Sequence, residues 1–248
     1  YFIYSQQIEI EIIPTKDELN YDDEEENEFI HIMEEKDRPF YHIYFDGGRE
    51  EKKRNYVKVN DNITKIKVLI DIEVKSITEL FNGCYCVKEI KFVKFNRTDF
   101  TDYQLMFNSC RNLINLDITK LKTNNVENMR YMFDSCYLLH NLNLSNFKTD
   151  KVKEMIGMFN DCISLEKLDL SNFFAYNIES TYRMFDGCSS LKELNIPYFY
   201  FDNLTDVKYM FSRCLTYLKV EIENKYPNIN VNAFLDYDEK DDFNNYEY

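Results

Sequence analysis

Six copies of one short phrase run through the middle of this chain, each 26 residues after the last. They read Leu80-Phe81-Asn82-Gly83-Cys84, Met106-Phe107-Asn108-Ser109-Cys110, Met132-Phe133-Asp134-Ser135-Cys136, Met158-Phe159-Asn160-Asp161-Cys162, Met184-Phe185-Asp186-Gly187-Cys188 and Met210-Phe211-Ser212-Arg213-Cys214. No insertion or deletion breaks the period. Fixed self-similarity of this length marks units that fold only against their neighbours, the pattern of a solenoid. Such stacks make binding surfaces more often than active sites, so recognition is the first function class to consider.

Within one unit, Val126, Met129, Met132, Phe133 and Cys136 fall on one face of a helix of about three turns. Asn124 stands where a cap is wanted, and Asp150 and Asp202 hold the same place in later units. Leu139, Leu142 and Leu144 then read as a turn into a short strand, with Phe147 roofing the core. The spacing predicts helices beginning near residues 74, 100, 126, 152, 178 and 204, and strands near 89–93, 115–119, 141–145, 167–171, 193–197 and 219–223. Parallel strands repeat at ~4.8 Å and packed helices at ~8–10 Å. The expected fold is therefore α/β: a curved solenoid of about six 26-residue helix–strand units with its parallel sheet concave.

The flanks do not repeat. Residues 1–73 read as a β-rich N-terminal cap, with strand signals at Ile8–Ile12, Phe29–Ile32, Tyr41–Phe45, Tyr56–Val59 and Ile63–Ile70. Asp46-Gly47-Gly48 is a turn signal, Asp22–Glu28 an acidic loop, and Lys65–Asp71 the strand expected to join the repeat sheet. Residues 74–224 form the repeat domain, and 225–248 a C-terminal cap with an acidic tail.

Charge follows the same division. Of the net −14, residues 1–35 carry −11 (12 acidic, one basic) and residues 236–248 carry −5 (six acidic, one basic), leaving about +2 on the body. Acidic ends around a near-neutral body argue against nucleic acid and against an anionic membrane surface. No apolar run is long enough to span a bilayer. The opening segment lacks the basic flank of a signal peptide.

The run from Met158, Met-Phe-Asn-Asp-Cys-Ile-Ser-Leu-Glu-Lys-Leu-Asp-Leu-Ser-Asn-Phe, resembles the 26-residue leucine-rich repeat of BspA-like surface proteins, which occur in bacteria, mycoplasmas and several protists. It departs from that pattern at Ala175 and Thr181, and the resemblance covers roughly residues 74–224, about three-fifths of the chain. It implies a leucine-rich-repeat fold, surface or secreted placement, and adhesion or protein binding. Seven cysteines, read as free thiols, fit a reducing, cytoplasmic compartment as the alternative.

The candidate binding residues lie between the inward leucines of successive strands: Lys91, Asp117, Asn143, Asp169, Asn195 and Glu221. Alternating Asp with Asn lets amide N–H groups bond the carboxylates on either side, and the polar, partly acidic column suits a protein or another polar or basic ligand. Glu89, Asn115, Asn141, Lys167, Glu193 and Lys219 stand beside it.

No catalytic residues, metal site or cofactor are expected. His31, His42 and His140 form no catalytic or ligand set, and no nucleotide or hydrolase motif is present. The cysteine ladder is read as buried free thiols, spaced too widely at helix separation for disulfides. The calcium-loop echo from Asp236 to Glu247 has Lys240 at its fifth place and no glycine at its sixth. Sequons at Asn62, Asn96, Asn143 and Asn203 are the number an Asn-rich chain produces by chance. The chain reads as a non-enzymatic interaction or adhesion module, the alternative being a structural spacer or stalk without a ligand.

Overall fold

The computed structural model describes residues 7–15, 26–174, 176–196 and 206–237. The expectations placed on Phe199, Asp202, Asn203 and Asp238, and most of the acidic loop, lie outside these residues.

The N-terminal strands arise from alternation. In β1 (Ile8–Pro14) the three isoleucines Ile8, Ile10 and Ile12 point into the core, while Glu9 and Glu11 point out and pair with Lys67 and Lys65 at 2.7 Å each. After β2 (Asn27–Glu28) and a 3₁₀ turn (Glu35–Phe40) come β3 (Tyr41–Phe45), β4 (Tyr56–Val57), β5 (Ile66–Ile70) and β6 (Val87–Phe95). One sheet runs in the order β3-β5-β1-β6-β7, where β7 is Asn115–Asp117. Its first four strands pair antiparallel, each with the next, and only the β6–β7 pair is parallel. It is β1, not the 65–71 strand, that joins the first repeat, pairing Ile12 with Ile90 and Ile8 with Phe95.

Beyond β7 the fold departs from the expected one. The chain is not a curved helix–strand leucine-rich-repeat solenoid with a continuous concave parallel sheet. Strands β8 (Lys167–Asp169) and β9 (Glu193–Asn195) form a separate parallel pair. The segment 141–143 between β7 and β8 is not a strand. Among the described residues the only α-helix is α1 (Thr216–Lys225), and it occupies the place of the sixth expected strand. There Leu218 and Ile222, four apart, are buried and Val220 is exposed, so the burial period is that of a helix.

The expected repeat helices are chains of turns. Met132 N–H donates to Met129 at 3.3 Å and Cys136 N–H to Phe133 at 3.3 Å, each closing a three-residue turn. The intervening N–H groups of Met129, Tyr131, Phe133 and Ser135 instead donate into the next unit, to Glu154, Ile156, Met158 and Asn160 at 2.8–2.9 Å. Two left-handed residues per unit enforce this alternation: Glu79, Leu105, Tyr131, Gly157, Arg183 and Tyr209 at one position, and Gly83, Ser109, Ser135, Asp161, Gly187 and Arg213 at the other. Each non-glycine at such a φ costs about 1–2 kcal/mol, and the inter-unit hydrogen bonds offset it. Apolar side chains spaced by three and four therefore reach one side of the chain without a helix.

Packing shows the same register. Phe81, Phe107, Phe133, Phe159, Phe185, Phe211 and Phe234 form one stack of near-parallel rings with centroids 5.5–5.6 Å apart. That step replaces the helix separation on which the expected curvature depended. Phe234, on a 3₁₀ turn (Val231–Phe234), closes the column, and Asn232 and Ala233 accept the Tyr209 and Phe211 N–H groups.

Candidate functional site

The expected column divides between strands, an unpaired segment and a helix. Lys91 lies on β6, Asp117 on β7, Asp169 on β8 and Asn195 on β9. Asn143 sits on the segment between β7 and β8, and Glu221 lies on α1 rather than on a strand. One expected link is present, the Asn195 amide donating to Asp169 Oδ1 at 3.1 Å. Lys91 Nζ stands 3.9 Å from Asp117.

The other column oxygens serve their own turns. Asp117 Oδ1 accepts the Thr119 hydroxyl at 2.7 Å and its N–H at 3.2 Å. Asn143 Oδ1 accepts the Ser145 N–H at 3.1 Å, and Asp169 Oδ1 the Ser171 N–H at 2.9 Å. Each is a side chain bonding the backbone two residues on, the local turn that Asn and Asp favour. The Thr119 hydroxyl holds Asp117 below its usual pKa, and the Ser171 backbone does the same for Asp169, so both carboxylates stay charged.

These side chains line a groove of about 890 Å³ running from β7 across the 141–143 segment to β9 and α1. Asp117, Asn143, Asp169, Asn195 and Glu221 all border it, while Lys91 borders a smaller adjoining recess of about 190 Å³. Leu116 and Leu142 are half-buried beneath it, where Leu168 and Leu194 are buried. No backbone hydrogen bond joins 141–143 to either neighbouring strand. Along the rim Lys167 pairs with Glu193 at 2.6 Å and Lys192 with Glu166 at 3.1 Å. Lys219, expected beside the column, pairs with Asp236 at 2.6 Å instead. The contribution of Lys225 to the rim was missed from sequence, because it depends on α1 replacing a strand.

The remaining candidates are structural. His42 bonds Asp71 at 3.0 Å and approaches Glu51 at 3.4 Å; burial lowers its pKa, but the two carboxylates outweigh burial and raise it. His31 meets Glu28, and His140 the Leu138 carbonyl. All seven cysteines are free and buried. The phenylalanine rings three residues before the ladder cysteines step by only 5.5 Å, so a helix-scale separation is not what keeps the thiols apart. Each ladder thiol from Cys110 to Cys214 instead donates to a carbonyl in the preceding unit, as Cys136 does to Phe107 at 3.2 Å. Burial pushes these thiols well above the usual range, and Cys214 up to about 12. Among the described residues no group of His, Cys, Asp and Glu could hold a metal ion, and no helix is long and apolar enough to cross a membrane.

No curated protein and no solved structure matches the chain. One family does, over residues 54–141 and again over 101–224, spans that between them contain all six copies of the repeated phrase. The chain thus belongs to the family described as Mycoplasma protein of unknown function, DUF285.

Proposed function

We propose that this chain is a non-enzymatic protein-interaction module that takes a polar or basic partner segment along the groove between β7 and α1. The observation that carries this reading is the groove itself. Five outward side chains from successive units and α1 border it, and charged Asp117 and Asp169 stand one unit to either side of Asn143. A basic side chain placed between two carboxylates gains charge-assisted hydrogen bonds that salt weakens.

The second reading, a structural spacer without a ligand, draws on the turns that Asp117, Asn143 and Asp169 close with their own backbone. Asparagine separates the two, because it keeps the accepting oxygen and removes the charge. The test pans a phage-displayed random peptide library against the immobilised chain. Under the proposal, enriched peptides carry Lys or Arg, and the doubly substituted Asp117→Asn/Asp169→Asn chain binds them about tenfold or more weakly at an unchanged melting temperature. Peptides that bind the double variant equally well, or no enrichment at all, would favour the spacer.

A further inference from the structure

The turn that follows each ladder cysteine presents its first residue outward, and in the first three units those residues are Tyr85, Arg111 and Tyr137. The Arg111 guanidinium lies over both neighbouring rings, 5.2 Å from the Tyr85 centroid and 5.4 Å from that of Tyr137. Arg54, Arg97, Arg183 and Arg213 each pair with an aspartate. Arg111 is exposed, and no ion pair or hydrogen bond engages its guanidinium among the described residues. Two aromatic faces thus hold a cation in one plane and leave its N–H edge open. The ordering cost of a long side chain has already been met within the fold.

The surroundings are apolar. Tyr85, Leu138 and Ile163 are exposed on this turn in the first, third and fourth units, and exposed Ile114 follows the turn of the second, just before β7. The Asn112 amide ties two of these turns together through the Tyr85 carbonyl at 2.9 Å. Tyrosine and arginine set among exposed aliphatic side chains form the composition of a binding hot spot. One fixed guanidinium without a cluster of lysines suits a carboxylate, which it meets with two parallel N–H bonds, rather than a polyphosphate or nucleic-acid backbone.

We propose that the Tyr85–Arg111–Tyr137 stack is a docking site for an acidic, partly apolar segment of a partner protein. An Asp or Glu of the segment bonds the Arg111 edge, and adjacent apolar side chains cover Ile114, Leu138 and Ile163. The Arg111 stack lies outside the lining of the β7–α1 groove, which Ile114 borders, and takes the opposite charge, so it stands whether or not the groove binds anything.

The test measures fluorescence anisotropy of two labelled peptides titrated with the full chain. One alternates glutamate with phenylalanine and leucine; the other has lysine at every glutamate. The chain carries a net −14, so unspecific attraction would favour the lysine peptide. The proposal expects saturable binding of the glutamate peptide against that attraction, whatever the groove does with the lysine peptide. Affinity should fall about tenfold or more in Arg111→Gln and also in Arg111→Lys, which keeps the charge but loses the planar fork. Asp117→Asn/Asp169→Asn should leave it unchanged. If an Arg111 variant does not fold, the Arg111 Nε–H resonance of the unsubstituted chain must shift as the glutamate peptide is added. Equal binding of the glutamate peptide to a folded Arg111→Gln chain, absence of saturation by that peptide or an unmoved Arg111 resonance each overturn the site.

Discussion

Asp161 and Arg213, two repeats apart in the chain, pair at 3.0 Å across the backbone of Gly187 in the unit between them. The bridge exists because Gly187 has no side chain: a Cβ there would stand 2.1 Å from Asp161 Oδ1. The same guanidinium bonds the fully buried Asp186 at 2.8 Å, and Arg183 bonds the other Asp186 oxygen at 2.8 Å. Three consecutive units are thereby tied by charge outside the lining of the groove.

Glycine at this position has two separable roles. Gly187 and Gly83 occupy the same place in their units at φ 73° and 69°, but a Cβ at Gly83 meets nothing within 4 Å. Gly83→Ala should therefore cost only the left-handed backbone term, about 1–2 kcal/mol. Gly187→Ala adds the clash and should cost roughly 1–3 kcal/mol more. Paired denaturant melts read the difference, and equal losses would show that the bridge over Gly187 carries no stability.

A second ladder runs one residue after the stacked phenylalanines. The Asn108 amide donates to Asn82 at 2.8 Å and the Asn160 amide to Asp134 at 2.7 Å, each reaching back one unit. Where the next unit has Asp instead of Asn, no amide arrives, and Asn108 Oδ1 and Asn160 Oδ1 are buried without a partner. Burial pushes the Asp134 carboxyl up to about 6, against the pull of the Asn160 amide. Its folded pKa exceeds the unfolded one, so its contribution to stability is full below about 4 and is lost as pH rises through about 6. Asp134→Asn should supply Asn108 with its missing donor and raise stability above pH 6 by roughly 1–2 kcal/mol. Because His42 gives the same sign of pH dependence, the variant-minus-parent difference between pH 4 and 7 is the measurement that decides.

Phe133 sits in the middle of the ring column, stacked on Phe107 and Phe159 at 5.5 Å each. Truncation to alanine should cost about 3–5 kcal/mol. Its N–H bonds Met158 and its carbonyl accepts the Cys162 thiol, so the loss should extend into the following unit as well as its own. Hydrogen exchange that quickens only within residues 126–151 would contradict this.

The thiols should resist chemistry until the chain unfolds. All seven are buried, and burial raises their pKa values, so the thiolate fraction is small. Labelling by a thiol reagent should proceed at the unfolding rate, with all seven sites free by intact mass. A bridge such as Cys110–Cys136 would mean that the carbonyl bonds of the ladder do not hold the sulfurs in place.

The 26-residue register and the inward residues were legible in the sequence, because every unit must bury the same apolar set to be stable at all. Met132, Phe133, Cys136, Leu139 and Leu144 are buried as their spacing requires. The outward placement of Lys91, Asp117, Asp169 and Asn195 on strands was legible too, since residues flanking an inward side chain on an extended segment point away from it, whereas Glu221 lies on α1. The backbone between those side chains was not. A helix and a chain of three-residue turns place apolar groups at the same spacings and satisfy the same number of N–H groups. They differ in whether alternate N–H groups bond within the unit or to the next one, and that is settled only when the neighbouring unit is in place. The stacked phenylalanines settle it at a 5.5 Å step, which helices cannot adopt. The chain's last segment follows from the same cause. Among the described residues no further strand is paired beyond β9, and Thr216–Lys225 satisfies its own backbone as α1 and places Glu221 and Lys225 at the groove.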